Sequence, residues 1–168
     1  MENANIIIKF TKISIFFKMA TIVKGDEIML FGSDGKAFAY ATSHTLTLTG
    51  NTVDVSSKDH GFWAASEVGS LTWEITTENL YTDDDYDKLF DMMVSAEPIT
   101  VAFAKAKNYD VNGLVATGGT VESWTPDNVQ YRSGKAVITS LTVNANTGEN
   151  ATYSATFTGA GALTKAAG

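Results

Sequence analysis

The sequence predicts a mainly β domain, a β-sandwich or small barrel of about seven to nine antiparallel strands flanked by one α-helix at about residues 83–96. Three observations lead there. Apolar and hydroxyl residues alternate along several segments, as where Leu71, Trp73 and Ile75 are interleaved with Thr72, Glu74 and Thr76. That is the period of a half-buried strand. One stretch changes to a helical period, with Tyr86, Leu89, Phe90 and Met93 at i, i+3, i+4 and i+7, the pattern of a single apolar stripe. The composition, 44% hydrophobic and 18% charged, is that of a globular chain whose polar strand faces are built from hydroxyls.

Residues 1–18 (MENANIIIKFTKISIFFK) are apolar and basic, unlike the rest of the chain. They lack the basic start and small-residue cleavage site of a secretory signal, and the run is too short and too charged to span a bilayer. Two readings are open. Either Met19 is the native start and the preceding residues an over-extended translation, or they form an arm that pairs with another subunit. Residues 19–168 then make one domain, large enough to bury a substantial core.

In chain order, residues 28–31 form a short strand, and Gly32-Ser33-Asp34-Gly35 turns into a second at 37–42. Residues 44–49 alternate, Leu46 and Leu48 opposing Thr45, Thr47 and Thr49. Gly50-Asn51 reads as a turn into 52–56. Residues 56–70 then read as a long polar connection carrying Phe62 and Trp63; a connection of that length is usually functional, and an exposed aromatic pair in it suits a protein contact. The next unit, 70–105, is strand, helix and strand. Thr82 or Asp83 caps the helix, Asp83, Asp84, Asp85 and Asp87 sit at the positive end of its dipole, and Pro98 stops it. Ile99, Val101 and Phe103 resume the alternation. Residues 106–119 are irregular, 121–124 read as a short strand, and Thr125-Pro126-Asp127-Asn128 reads as a turn. Two strong strands, 135–144 and 151–158, precede a small-residue end. Trp73, Phe103 and Trp124 are expected in the core.

The residues of an enzyme do not assemble. With no cysteine there is no disulfide and no thiolate metal site. His44 starts an alternating strand and is expected on its polar face. Asp59-His60 has no further ligand at metal spacing. Asp83-Asp84-Asp85 lacks the glycine and terminal glutamate of an EF-hand loop and is accounted for by the helix start. Gly118-Gly119 has no following lysine, and no G-x-S-x-G occurs. The expectation is a non-enzyme without cofactor or metal. Net charge is −7; the N-terminal stretch holds Lys9, Lys12 and Lys18 against Glu2, so residues 19–168 carry nine basic and eighteen acidic residues, −9. Such a chain is a poor trap for nucleic acid, since binding requires clustered cations to displace counterions. DNA passing nearby is compatible with an acidic wall.

Four stretches together resemble the major tail proteins, or tail tube proteins, of long-tailed bacteriophages. They are the start MATIVKGDEIMLF at Met19, the run TLTLTGNTVDVSSKD at 45–59, the WEIT–helix–ITVAFA unit at 73–104, and the closing GKAVITSLTVNANTGENATYSATFTGAGALT at 134–164. The last two, in this order, are the more specific; the residues before Met19 and the long 106–124 segment depart from the pattern. The resemblance implies a β-sandwich or small barrel whose copies form six-membered rings, stacked into a tube through which the genome leaves the capsid. It implies a virion protein, assembled in the bacterial cytoplasm. Its partners would be itself and other tail components such as tape-measure and terminator proteins, with DNA as passing cargo and no membrane. Ser56, Ser57, Lys58, Asp59, Phe62 and Trp63 are then the expected ring-stacking loop, and Gly159, Gly161 and Leu163 a second, C-terminal contact. A tube of a contractile or type VI-like secretion apparatus would share this pattern. An Ig-like adhesion or carbohydrate-binding module fits less well, because it requires secretion and has no interposed helix.

Overall fold

The computed structural model describes residues 22–38, 40–107 and 125–165, with no side-chain account of 128–130. The N-terminal stretch 1–18, the expected strand at 121–124 and Trp124 lie outside the described residues. Among the described residues seven strands make one antiparallel sheet: β1 (Ile28–Phe31), β2 (Ala41–Asp54), β3 (Ser66–Leu80), β4 (Ile99–Ala106), β5 (Pro126–Asn144), β6 (Thr152–Gly159) and β7 (Thr164–Lys165). Their spatial order is β1-β4-β5-β6-β3-β2, with the short β7 on β5. The one α-helix of the described residues, α1 (Asp83–Ser95), lies between β3 and β4 in the chain, as its change of period predicts.

The main core lies on one face of this curled sheet. Five strands contribute: Leu30 from β1, Val101 from β4, Ala136 from β5, Tyr153, Ala155 and Phe157 from β6, and Trp73 and Ile75 from β3; Leu89 of α1 joins them, and Leu46 of β2 packs half-buried against them. A smaller cluster of Met29, Phe31, Ala104 and Ala106 occupies the opposite face near β1 and β4. Trp73 organises the sheet centre. Its indole lies against Gly159 and Gly134 so closely that a β-carbon at either would fall within 2.4 and 2.6 Å of ring atoms, and its Nε1 donates to the Gly161 carbonyl at 2.8 Å.

The helix keeps its expected bounds. Thr82 is the N-cap residue, its hydroxyl donating to Asp85 at 2.9 Å, and Ala96 closes the helix in the left-handed region at φ 54°. Its inward face differs from the predicted stripe. Leu89 is buried with Tyr86 and Met92 half-buried beside it, while Phe90 and Val94 point outward, 51% and 68% exposed. The aromatic packing sets this rotation: Tyr86 rests 5.3 Å from Tyr81 and 6.0 Å from Tyr153, ring centre to ring centre. Turning Phe90 inward would break that cluster.

Other expectations are corrected. Gly50-Asn51 is not a turn: β2 runs through it, with an irregular register between Asn51 and Thr52. Gly50 leaves room there for the cross-strand side chains of Leu71 and Val68, each 3.5 Å from where a β-carbon would stand. The long connection at 56–70 is shorter than expected, because β3 begins at Ser66. Pro126 opens β5 instead of forming a turn, its residue pairing with Ala106; the first position of a strand is one a proline tolerates. Finally, His44 is on the core face, paired with Thr77 and sharing a side with Leu46, so the polar-face expectation for it does not hold.

Candidate self-assembly surfaces

Among the described residues three surfaces are left uncovered, two on the sheet and one on the helix. The first is the sheet face turned away from α1, across β2, β3, β6 and β5. Register places Ser43, Glu78, Ser154 and Thr142 in one row, Thr45, Thr76, Thr156 and Ser140 in the next, and Thr47, Glu74, Thr158 and Val137 in a third. Nine of these twelve positions are hydroxyls and two are glutamates, and none is buried. The hydroxyls bond among themselves: Thr139 lies 2.9 Å from Thr158, oxygen to oxygen, and Ser43 donates to Glu78 at 3.4 Å. A surface this wide with one aliphatic residue is built for water.

The second is a two-stranded ribbon. β6 pairs with β3 only from Glu74 onward, whereas β2 and β3 continue together to Asp54 and Ser66. Beyond Trp73 about seven residues per strand therefore project, roughly 23 Å at strand rise. Leu48, Leu71 and Val68 continue the core face of the sheet into this ribbon, where they are 59%, 67% and 62% exposed. Gly69 is the extra residue of a bulge at its middle; a side chain there would meet Val53.

At the ribbon's tip stand the residues that the sequence pattern marks as a contact loop. Asp54 accepts from the Ser56 amide at 2.8 Å, and hydrogen bonding to Ser56, by its side chain first and this amide second, holds the carboxyl below the usual range. Ser56 Oγ accepts from the Ala65 amide at 2.9 Å, and Val55 donates to the Ala65 carbonyl. The two strands are thus tied across the loop. Ser57 starts a single 3-10 turn (Lys58–His60), with His60 Nδ1 accepting from the Ser57 amide at 3.1 Å and lying 2.9 Å from its hydroxyl. That turn uses His60 as a local cap, and among the described residues no group of acids and histidines is arranged to hold a metal. Gly61, at φ 66°, reverses the chain, and Phe62 and Trp63 then stand free in solvent. Ser56, Ser57, Lys58, Asp59, Phe62 and Trp63 are therefore together. Gly159, Gly161 and Leu163 are elsewhere, at the ribbon's base: Gly159 lies under Trp73, Gly161 accepts its indole hydrogen, and Leu163 packs on the core.

The third uncovered surface is the outward stripe of α1, Phe90 and Val94 between Asp87 and Asp91. The helical period alone assigns Phe90 inward and passes over Val94. Their four-residue spacing is a signal, but it does not tell which side of the helix meets the sheet.

Beneath the helix lies a group of buried polar atoms. Asn79 Nδ2 donates to Thr77 Oγ1 at 3.2 Å; among the described residues both ring nitrogens of His44 have no hydrogen-bond partner, and Asn79 Oδ1 and the Tyr153 hydroxyl make no bond of good geometry, although the Asn79 side chain acts on that hydroxyl. Burial lowers the His44 pKa to about 4, so the ring is neutral. Burial, with a smaller contribution from the Asp85 charge, raises Tyr153 to about 12. At the other end of the sheet, Lys105 pairs with Glu27 and holds its carboxyl below the usual range.

The described residues thus form a β-rich protomer with one buttressing helix, an open hydroxyl-lined sheet face and an apolar projecting ribbon. The family model for the phage tail tube protein matches residues 24–165, and the chain belongs to that family. No curated protein matches it in sequence. Solved structures share its fold, two of them from gene transfer agent particles. One is the tail of an empty gene transfer agent particle with C6 symmetry: 18% identity, TM-score 0.67, covering 87% of this chain and all of the other. The second is from the virion of a native gene transfer agent particle, at 16% identity with the same TM-score and coverage. The protein is a structural component of a phage-type tail tube.

Proposed function

We propose that copies of this chain join head to tail into six-membered rings, and that the rings stack into a hollow tube whose lumen is lined by the hydroxyl face. The observation that carries the reading is that face itself. In a wide barrel the residues that line a watery interior are polar, and the three rows of hydroxyls meet that requirement without a competing apolar patch. Glu74 and Glu78 would repel a passing polyanion. The face has no cation cluster to hold it, so DNA is cargo and not a bound ligand. The C6 symmetry of the structural neighbour supports the ring number.

The ribbon supplies contact between rings. Its tip, Ser56, Ser57, Lys58, Asp59, Phe62 and Trp63, stands at the end of the two projecting strands, and its apolar side needs a neighbour to cover it. The exposed turn that holds Gly159, Gly161 and Leu163 is a second contact near the ribbon base. The tube is assembled in the bacterial cytoplasm, becomes part of the virion, and meets the tape-measure and terminator proteins at its ends. Residues 19–168 act as one domain. The working parts are surfaces, and no catalytic step is involved. Negative-stain electron microscopy of the purified protein at high concentration tests the reading. Six-fold rings or hollow tubes are expected, and a strictly monomeric species under those conditions refutes it.

A further inference from the structure

Charge is divided between the two halves of the sheet. The half made by β1, β4, β5 and β7 with their turns (22–38, 99–107, 125–144 and 160–165) carries seven basic and four acidic residues, net +3. The half made by β6, β3, β2, the ribbon and α1 (40–98 and 145–159) carries two basic and twelve acidic residues, net −10. The strand order puts these halves at opposite edges, β1 at the basic one and β2 at the acidic one. Among the basic residues Lys24, Lys36, Lys107, Lys135 and Lys165 are exposed, and eleven of the twelve acids on the other half are exposed too. Among the described residues no further strand lies on β2, and β1 meets only the short bridge to Ala37 and Phe38; open backbone of this kind invites another strand.

Resting on the ring reading of the proposed function, we infer that the contact between neighbouring copies in a ring is selected by this polarity, the acidic β2–β3–α1 half of one copy docking on the basic β1–β4–β5 half of the next. A two-fold contact would set β2 against β2, or β1 against β1, and place like charges together. A head-to-tail contact sets an acidic half beside a basic one at every junction, and such heterologous contacts are the kind that close into rings. The outward Phe90 and Val94, flanked by Asp87 and Asp91, give the acidic half an apolar centre with a charged rim, the usual anatomy of a protein interface. Complementary fields of this sort set partner choice and encounter rate. The excess of acid over base also leaves the assembled ring negative, as a DNA conduit requires.

Charge reversal on each half tests this. One variant carries Lys at Asp59, Glu67, Asp87, Asp91, Glu97 and Glu149, which leaves the first helical turn intact and takes the acidic half from −10 to +2. The other carries Glu at Lys36, Lys107 and Lys165, taking the basic half from +3 to −3. Each alone should stay monomeric in sedimentation velocity at concentrations where the wild type forms rings, a shift of about tenfold or more in the concentration needed. Mixed in equal amounts they should assemble, alternating around the ring, because both kinds of junction are again opposite in sign. Circular dichroism and melting confirm that each variant folds. As a measurement that needs no variant, wild-type ring formation should weaken about tenfold or more between about 0.05 and about 1 M NaCl, as the Debye length shrinks to roughly 3 Å. Rings formed by either variant alone, or wild-type rings indifferent to salt, overturn the inference and leave the tube reading standing. Wild-type protein that forms neither rings nor tubes at any salt concentration removes both.

Discussion

The same two strands, β2 and β3, are packed on one side of Trp73 and bare on the other. On the packed side Ile75, Thr77 and Asn79 are buried, between a third strand and the helix. On the bare side Leu48, Leu71 and Val68 continue the same face, yet only two strands remain and each side chain is more than half exposed. Alternation is thus present throughout, and burial in the protomer is not. The difference teaches that apolar periodicity marks a face requiring cover without saying whose atoms supply it. An isolated two-stranded ribbon is marginal in water. Here it is held at its base by Trp73 and at its tip by the Asp54–Ser56–Ala65 bonds.

Substitutions on the two sides should therefore separate stability from assembly. Trp73→Ala removes the largest side chain of the packed side and should cost about 3–5 kcal/mol of protomer stability, read by denaturant unfolding. Equal stability in wild type and variant would show that the ring does not organise the sheet. Acid is the next largest lever. His44 is neutral in the folded chain with a pKa of about 4, against about 6.5 when unfolded. The unfolded chain thus takes up the proton first, and stability should fall as pH drops from about 6.5 towards 4 by up to about 3 kcal/mol, then level off. His44→Leu should remove that part of the slope; an unchanged profile would locate acid sensitivity elsewhere. Tyr153→Phe deletes a buried hydroxyl that interacts with the Asn79 side chain without a hydrogen bond of good geometry, and a change of less than about 1 kcal/mol is expected. A loss of about 3 kcal/mol would mean that the hydroxyl is satisfied in solution.

Ribbon changes should be smaller still for the protomer. Phe62→Ser with Trp63→Ser should move stability by less than about 0.5 kcal/mol and abolish stacking of rings in electron micrographs. Normal tubes would show that the tip is not the stacking element. Glu74→Lys with Glu78→Lys should likewise leave folding unchanged, but tubes of that variant should retain DNA in a salt-sensitive way. Absence of any such retention would argue against this face as the lumen.

Much of this architecture is legible in the sequence, and the gaps have physical causes. The period change at residue 83, the acids of the first turn and Pro98 locate α1 closely, because capping and helix dipole are local. The hydroxyl face is visible as Thr45, Thr47 and Thr49, and again as Ser154, Thr156 and Thr158. What escapes is anything set by a cross-strand neighbour. Gly50-Asn51 has the composition of a turn, yet here a glycine makes space for Leu71 and Val68 from the opposite strand. Residues 66–70 look like loop, since pairing with β2 rather than their own propensity makes them a strand. The rotation of α1 depends on Tyr81 and Tyr153, which the helical period of residues 86–93 does not include. For the candidate surfaces, the tip aromatics are evident from their polar surroundings. The outward Phe90 and Val94, and the division of charge between sheet halves, need the strand order.

The indole of Trp73 bears on two neighbouring strands and on the turn that follows one of them. It leaves no room for a side chain at Gly159 of β6 or Gly134 of β5, and its hydrogen goes to the Gly161 carbonyl. These positions, far apart in the chain, cannot vary one at a time. A relative that gains a side chain at either glycine must have exchanged the tryptophan for something smaller, so the residues should be inherited as a set. The ribbon tip answers to no such internal partner. It is free to drift with whatever it touches on the next ring, and tubes of related phages should differ there first.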